Sequence, residues 1–288
     1  MLIWQRNTKQ PWTCLGKIKI NLVEFSQQYP VLPEVFTIVE MVEEISGKEI
    51  DFQIHEKLPV DGLIKIARAN MPKHLLKIKA SKVKNISEMI AHECGHALRV
   101  YSVAPSERRV SFSNSFLVAM ATGELESEKS SLPPETKSMM VDTWINGLVM
   151  QVNNLPVDVR IERWIYDTYP GLRMEQKEYL ENLADTCVSS FSKETLEITP
   201  PKVFRCNMAM VYAFLSAIGL LIGEDYSQHF APYPEIIQYG KVLVKLLEEP
   251  DRGYLQDIET TNYWAKILGL TNWFSWTDFE NVPEEYGE

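Results

Sequence analysis

The chain has 288 residues, 45% of them hydrophobic, and 39 acidic against 29 basic side chains give it a net charge of −10. It is long enough to bury a large core, as one large domain or two small ones. Residues 1–100 carry 14 Lys and Arg against 11 Asp and Glu, and the remainder carry 15 against 28, a balance that argues against the phosphate neutralisation nucleic-acid binding requires.

The first residues, Met1 to Arg6, lack the basic and then apolar pattern of a secretory signal. Pro33 to Ile45 has the helical spacing of Val35, Ile38, Val39 and Val42, whereas Glu49–Ile54, Gly62–Ala67 and His74–Ala80 read as extended. From Asn85 onward the pattern is mostly helical, with helices expected over 85–102, 136–153, 156–169, 174–191, 203–222 and 234–248. Between Val103 and Lys137 the breakers Pro105, Gly123 and Pro133-Pro134 interrupt it, leaving a surface loop or lid with a short helix at Ser115–Thr122. The apolar run Met208–Gly223 falls short of the roughly 20 residues of a membrane span and reads as a buried helix. After Asp251 the tail is acidic and rich in Trp and Tyr, and is expected to pack back on the body. The architecture is α+β: a single domain over 1–288, with a small sheet and a helix in 13–102, an insertion at 103–137 and a helical part from 138. Cys14, Cys94, Cys187 and Cys206 lie far apart without a Cys-x-x-Cys pair. That spacing speaks against a disulfide framework and for a reducing, cytoplasmic setting.

Two of the five histidines stand four apart around a glutamate, in His92-Glu93-Cys94-Gly95-His96. Residues i and i+4 are about 40° apart on a helix, so two imidazoles can converge on one ion. Glu93, about 100° from His92, can serve a metal-bound water as general base. Asn85 is placed to cap this helix, with Glu88 completing a capping box. Ile86, Ile90, Cys94, Ala97 and Leu98 form its buried face, with Glu88, His92, His96 and Arg99 on the other side. Gly95, which costs about 1 kcal/mol relative to Ala in a helix interior, points to close approach of another backbone. His55 and His74, in or beside strands, read as structural.

The segment 92–96 resembles the active-site helix of the zincin metallopeptidases. That resemblance implies a zinc-dependent peptidase of zincin-like fold, acting on a protein or peptide that lies along an edge strand, a place assigned to Lys73–Ala80. The residues directly after His96, Ala97 to Ser102, carry no further histidine, so the third ligand is expected to be a carboxylate on a later helix. Asp158/Glu162 and Glu181/Asp185 compete. Asp158 and Glu162 share a face with Val159, Ile161 and Ile165, and buried carboxylates need a partner; Glu181 and Asp185 lie off the face of Leu180, Leu183, Ala184, Cys187 and Phe191. Glu162 is therefore expected as the ligand and Asp158 as the outer partner that holds a ligating histidine. Asp158-Val159-Arg160-Ile161-Glu162-Arg163 also resembles a helix that follows the H-E-x-x-H helix in some bacterial zincin-like proteins, and it leaves open an exchange of the two roles. Pairing of these carboxylates with Arg99 or Arg160 is the structural alternative. Tyr166, Tyr169 and His229 are candidates for stabilising an oxyanion.

Two other functions compete. Glu93-x-x-His96 is also a ligand pair of di-iron carboxylate bundles, though no second such pair occurs. A non-catalytic interaction protein on a zincin body, with a structural or vestigial metal site and a partner on its helical C-terminal part, is the alternative outside enzymology. No nucleic acid and no membrane are expected as partners.

Overall fold

Residues 20–128 and 132–282 are described in a computed structural model of the chain. It is α+β and mostly helical, with two small sheets. Two compact units are present: one comprises Ser111–Arg160 and Leu180–Trp276, the other the residues up to Val110, Ile161–Tyr179 and those from Thr277.

The second of these units carries the three-stranded sheet and the H-E-x-x-H helix. After a short helix α1 (Leu22–Ser26), α2 (Pro33–Ser46) buries Val35, Ile38, Val39 and Val42 and ends on Gly47, whose φ of 67° favours glycine. Strands β1 (Ile50–His55), β2 (Gly62–Lys65) and β3 (His74–Lys79) lie in the order β1-β3-β2. In β3, His74, Leu76 and Ile78 alternate inward, with Ile50 and Phe52 of β1 beside them. The parallel register Phe52 to Leu76 and the antiparallel register Ile64 to Leu76 make β3 the central strand. This corrects the expectation that Lys73–Ala80 is the edge strand: both of its edges are taken by neighbours, and the edge belongs to β2.

A 3-10 turn (Ala80–Asn85) leads into α3 (Ile86–Tyr101), which packs on α2, β2 and β3. The cap of α3 differs from the expected box. Asn85 makes no side-chain cap; instead Glu175 accepts from the Ser87 and Glu88 amides at 3.1 and 3.3 Å and from Ser87 Oγ at 3.2 Å. Glu88 is fully buried rather than reaching back to the helix start. At Gly95 an added Cβ would stand 2.6 Å from Ile161 Cγ2. The close approach is thus made by a side chain of α5 (Pro134–Thr168), not by another backbone.

That helix runs unbroken for 35 residues, although two helices are expected there, and it contains Pro156. Proline removes one backbone hydrogen bond and usually kinks a helix, and here the apolar spacing on both sides carries the helix through. A second strand–helix pair, β4 (Arg109–Phe112) and α4 (Ser115–Ser127), replaces most of the expected irregular stretch; β4 pairs with β5 (Ser275–Asp278).

In the other unit, α6 (Arg173–Ser189) contributes its later part, followed by α7 (Lys193–Ile198), α8 (Pro201–Ile222), α9 (Pro234–Leu247) and α10 (Tyr254–Leu268). Helix α8 is long and apolar enough to cross a membrane, yet 78% of its apolar window is buried inside the protein, in keeping with a core helix. The tail packs as expected: Trp264 and Trp273 are fully buried, and Trp264 Nε1 donates to Leu243 O at 3.2 Å. Arg160 binds Asp257 at 2.8 Å and Thr260 at 2.8 Å, so its guanidinium is engaged within this unit.

Candidate metal centre

Helix α3 lifts His92 and His96 one turn apart on the same side, with their rings edge to face at 73° and centroids 5.0 Å apart. Their Nε2 atoms are 3.3 Å from each other. Two nitrogens each bound to one zinc at about 2.0–2.1 Å with a tetrahedral angle would be about 3.3 Å apart. The spacing is that of two ligands of one tetrahedral ion, and here it is spanned by a hydrogen bond between the rings.

Glu162, on α5 and 1% exposed, is built into the other side of His92. Its Oε1 lies 2.6 Å from His92 Nδ1, and its Oε2 and its backbone oxygen each accept from Gln176 Nε2 at 2.7 Å. A carboxylate there makes Nδ1 the protonated nitrogen and leaves the lone pair on Nε2, facing His96. A separation of 2.6 Å is also shorter than the about 3.3 Å between two ligands of a tetrahedral zinc. In this arrangement the contact is a hydrogen bond between Glu162 and His92. Asp158 lies one turn earlier on the same unbroken helix, half-buried.

No family model, curated protein or solved structure matches the chain.

Glu93 is buried, and one of its oxygens lies against β2. Because the Lys79 amide bonds Asp61 O, the backbone groups of Gly62 and Ile64 point away from β3, toward the open edge of β2. Glu93 Oε2 accepts from the Ile64 amide at 2.9 Å, and Oε1 lies 2.8 Å from where a Cβ on Gly62 would be. Only glycine at 62 lets the carboxylate lie along the strand.

Glu88, one turn before His92 on its face, was readable only as a capping residue. Burial first, and then the neighbouring Glu162 and Glu175 carboxylates, hold its carboxyl well above the usual range. Its i, i+4 spacing to His92 is a signal the sequence does contain, whereas nothing in the sequence marks Gln176 or Glu175. Cys94, between the histidines, faces the core, and burial pushes its thiol up. Glu181 is half-buried and Asp185 exposed, as their helical positions suggest.

Tyr166 stacks under the Arg173 guanidinium at 4.6 Å, and its backbone oxygen accepts from Arg173 Nε at 2.7 Å. Tyr169 OH donates to Met41 Sδ at 3.5 Å. His229 sits in a 3-10 turn (Ser227–Phe230) of the other unit. His74 is structural in detail: Nδ1 accepts from the Ala67 amide and Nε2 meets Ser46 Oγ, each at 2.9 Å, and burial lowers its pKa to about 4.

Proposed function

We propose that the chain is a zinc-dependent hydrolase of the peptidase type, with His92 and His96 as ligands through Nε2 and Glu93 as general base. The observation that carries this reading is the 3.3 Å separation of the two Nε2 atoms, with Glu162 fixing the tautomer that presents the lone pair of His92. At the histidine pair the sequence leaves the roles of Glu162 and Asp158 as third ligand and outer partner open to exchange. A zinc ion held there supplies Lewis acidity and lowers the pKa of a coordinated water. The chain's own part is to orient His92 through Glu162 and Gln176, and to accept a proton on the Glu93 carboxylate and return it to the leaving amine.

An extended peptide is the substrate class expected of such a site, and on β2 the Ile64 amide is already engaged by Glu93, so a peptide there would have to pair with the remaining outward groups of the strand. This moves the docking strand from the expected Leu75–Ile78 to β2, since β3 has no open edge. The described cysteines, Cys94, Cys187 and Cys206, are free and buried, which supports the cytoplasmic setting.

The test is metal analysis with hydrolysis of fluorescein-labelled casein. Wild type is expected to hold about one zinc per chain in this site, His92→Ala and His96→Ala to lose it, and Glu93→Gln to keep zinc while losing hydrolysis. Zinc retained by both histidine variants would remove the assignment; zinc lost from Glu93→Gln would make Glu93 a ligand rather than a base.

A further inference from the structure

Behind His92, on the side away from His96, three groups of one unit converge: one ligand atom each of Glu88, His92 and Glu162 lies within 4.8 Å of the other two. Glu88 is fully buried; among the described residues neither of its oxygens meets a donor, and its carboxyl stands at hydrogen-bond distance from that of Glu162. Gln176 is also fully buried; its Nε2 is spent on Glu162, and its Oε1 has no partner. Two carboxylates therefore meet in the interior, one of them without a donor on either oxygen, where an unsatisfied polar atom is costly and paired anions repel.

A proton shared between Glu88 and Glu162 would relieve the repulsion, but it would leave one Glu88 oxygen and the Gln176 oxygen unserved. A divalent cation would engage oxygens of both carboxylates and offset both charges. We propose that Glu88 and Glu162, beside His92, bind a hard divalent cation of the Mg2+ or Mn2+ class, separate from the ion between the Nε2 atoms. The donors are all oxygen, which suits hard ions rather than zinc. His92 Nδ1 keeps its hydrogen bond to Glu162 Oε1, and Glu162 thus joins the inner cation to the outer histidine pair.

The inner site is read in a chain whose outer pair is broken, so its result does not depend on the hydrolase reading. Metal-stripped His96→Ala is titrated with Mn2+, and free Mn2+ is followed by electron paramagnetic resonance. About one Mn2+ per chain is expected to bind, and its affinity should fall at least about 10-fold when Glu88→Gln is added, and likewise with Glu88→Met, circular dichroism showing each variant folded. Absence of Mn2+ binding to His96→Ala, or unchanged affinity in both Glu88 variants, overturns the proposal and leaves a proton as the occupant. Zinc analysis of wild type and His96→Ala, done in parallel, reports on the outer pair alone.

Discussion

Glu162 and Asp158 are one helical turn apart, and the role of each depends on which nitrogen of His92 a carboxylate meets. Glu162 meets Nδ1 at 2.6 Å; its loss should lower zinc affinity about 10- to 100-fold, as expected of a group that orients a ligand. Asp158→Ala, which removes a ligand in the exchanged assignment, should do more. Chelator competition on Glu162→Ala and Asp158→Ala ranks them, and the reverse order would restore the assignment the helical wheel favours. A second residue gives a pH signature. His74 has a folded pKa of about 4 against 6.5 for the free side chain, so between those values the unfolded chain binds more protons. Its contribution to stability is complete above pH 6.5 and is lost as pH falls toward 4, by up to about 1.4 kcal/mol per pH unit. Urea unfolding at pH 7 and 5 should show a smaller drop for His74→Gln than for wild type; equal drops would remove this role.

At the scale of elements, α3 carries the histidines but relies on α6 for its start. The amides of Ser87 and Glu88 would lack an acceptor without Glu175, and a carboxylate at a helix N-terminus also suits the helix dipole. Glu175→Ala should therefore cost about 0.5–2 kcal/mol, the range of a lost N-cap. The midpoint of urea unfolding measures it, with Asn85→Ala as the control that should change less, since Asn85 makes no cap. The contrast explains why capping was misread from the sequence. Asn85 and Glu88 have the right spacing, but the spacing says nothing about a carboxylate 87 residues further along the chain. Helix α5 shows the same limit. Pro156 reads locally as a break, and the helix nonetheless runs from Pro134 to Thr168 because burial of residues such as Val152, Val159 and Ile165 on either side favours its continuation.

For the whole molecule, a ligand that binds only the folded state raises stability by mass action. Zinc at about 100 times its dissociation constant should add about 2.7 kcal/mol, seen as a higher midpoint of thermal unfolding that EDTA reverses. His92→Ala should show no such rise, and an equal rise in that variant would place the stabilising ion elsewhere. What the sequence by itself determined is whatever depends on near neighbours: the α+β class, the buried faces of α2 and α8, the packed tryptophans of the tail, and the pairing of His92 with His96, which a helical period alone brings together. Strand order, the open edge at β2, the parking of Glu93 on the Ile64 amide, and the meeting of Glu162, Gln176 and Glu88 behind His92 were decided only by tertiary structure. Each of these joins residues separated by more than a helix turn, and periodicity specifies which face a residue occupies, not which distant face it will meet.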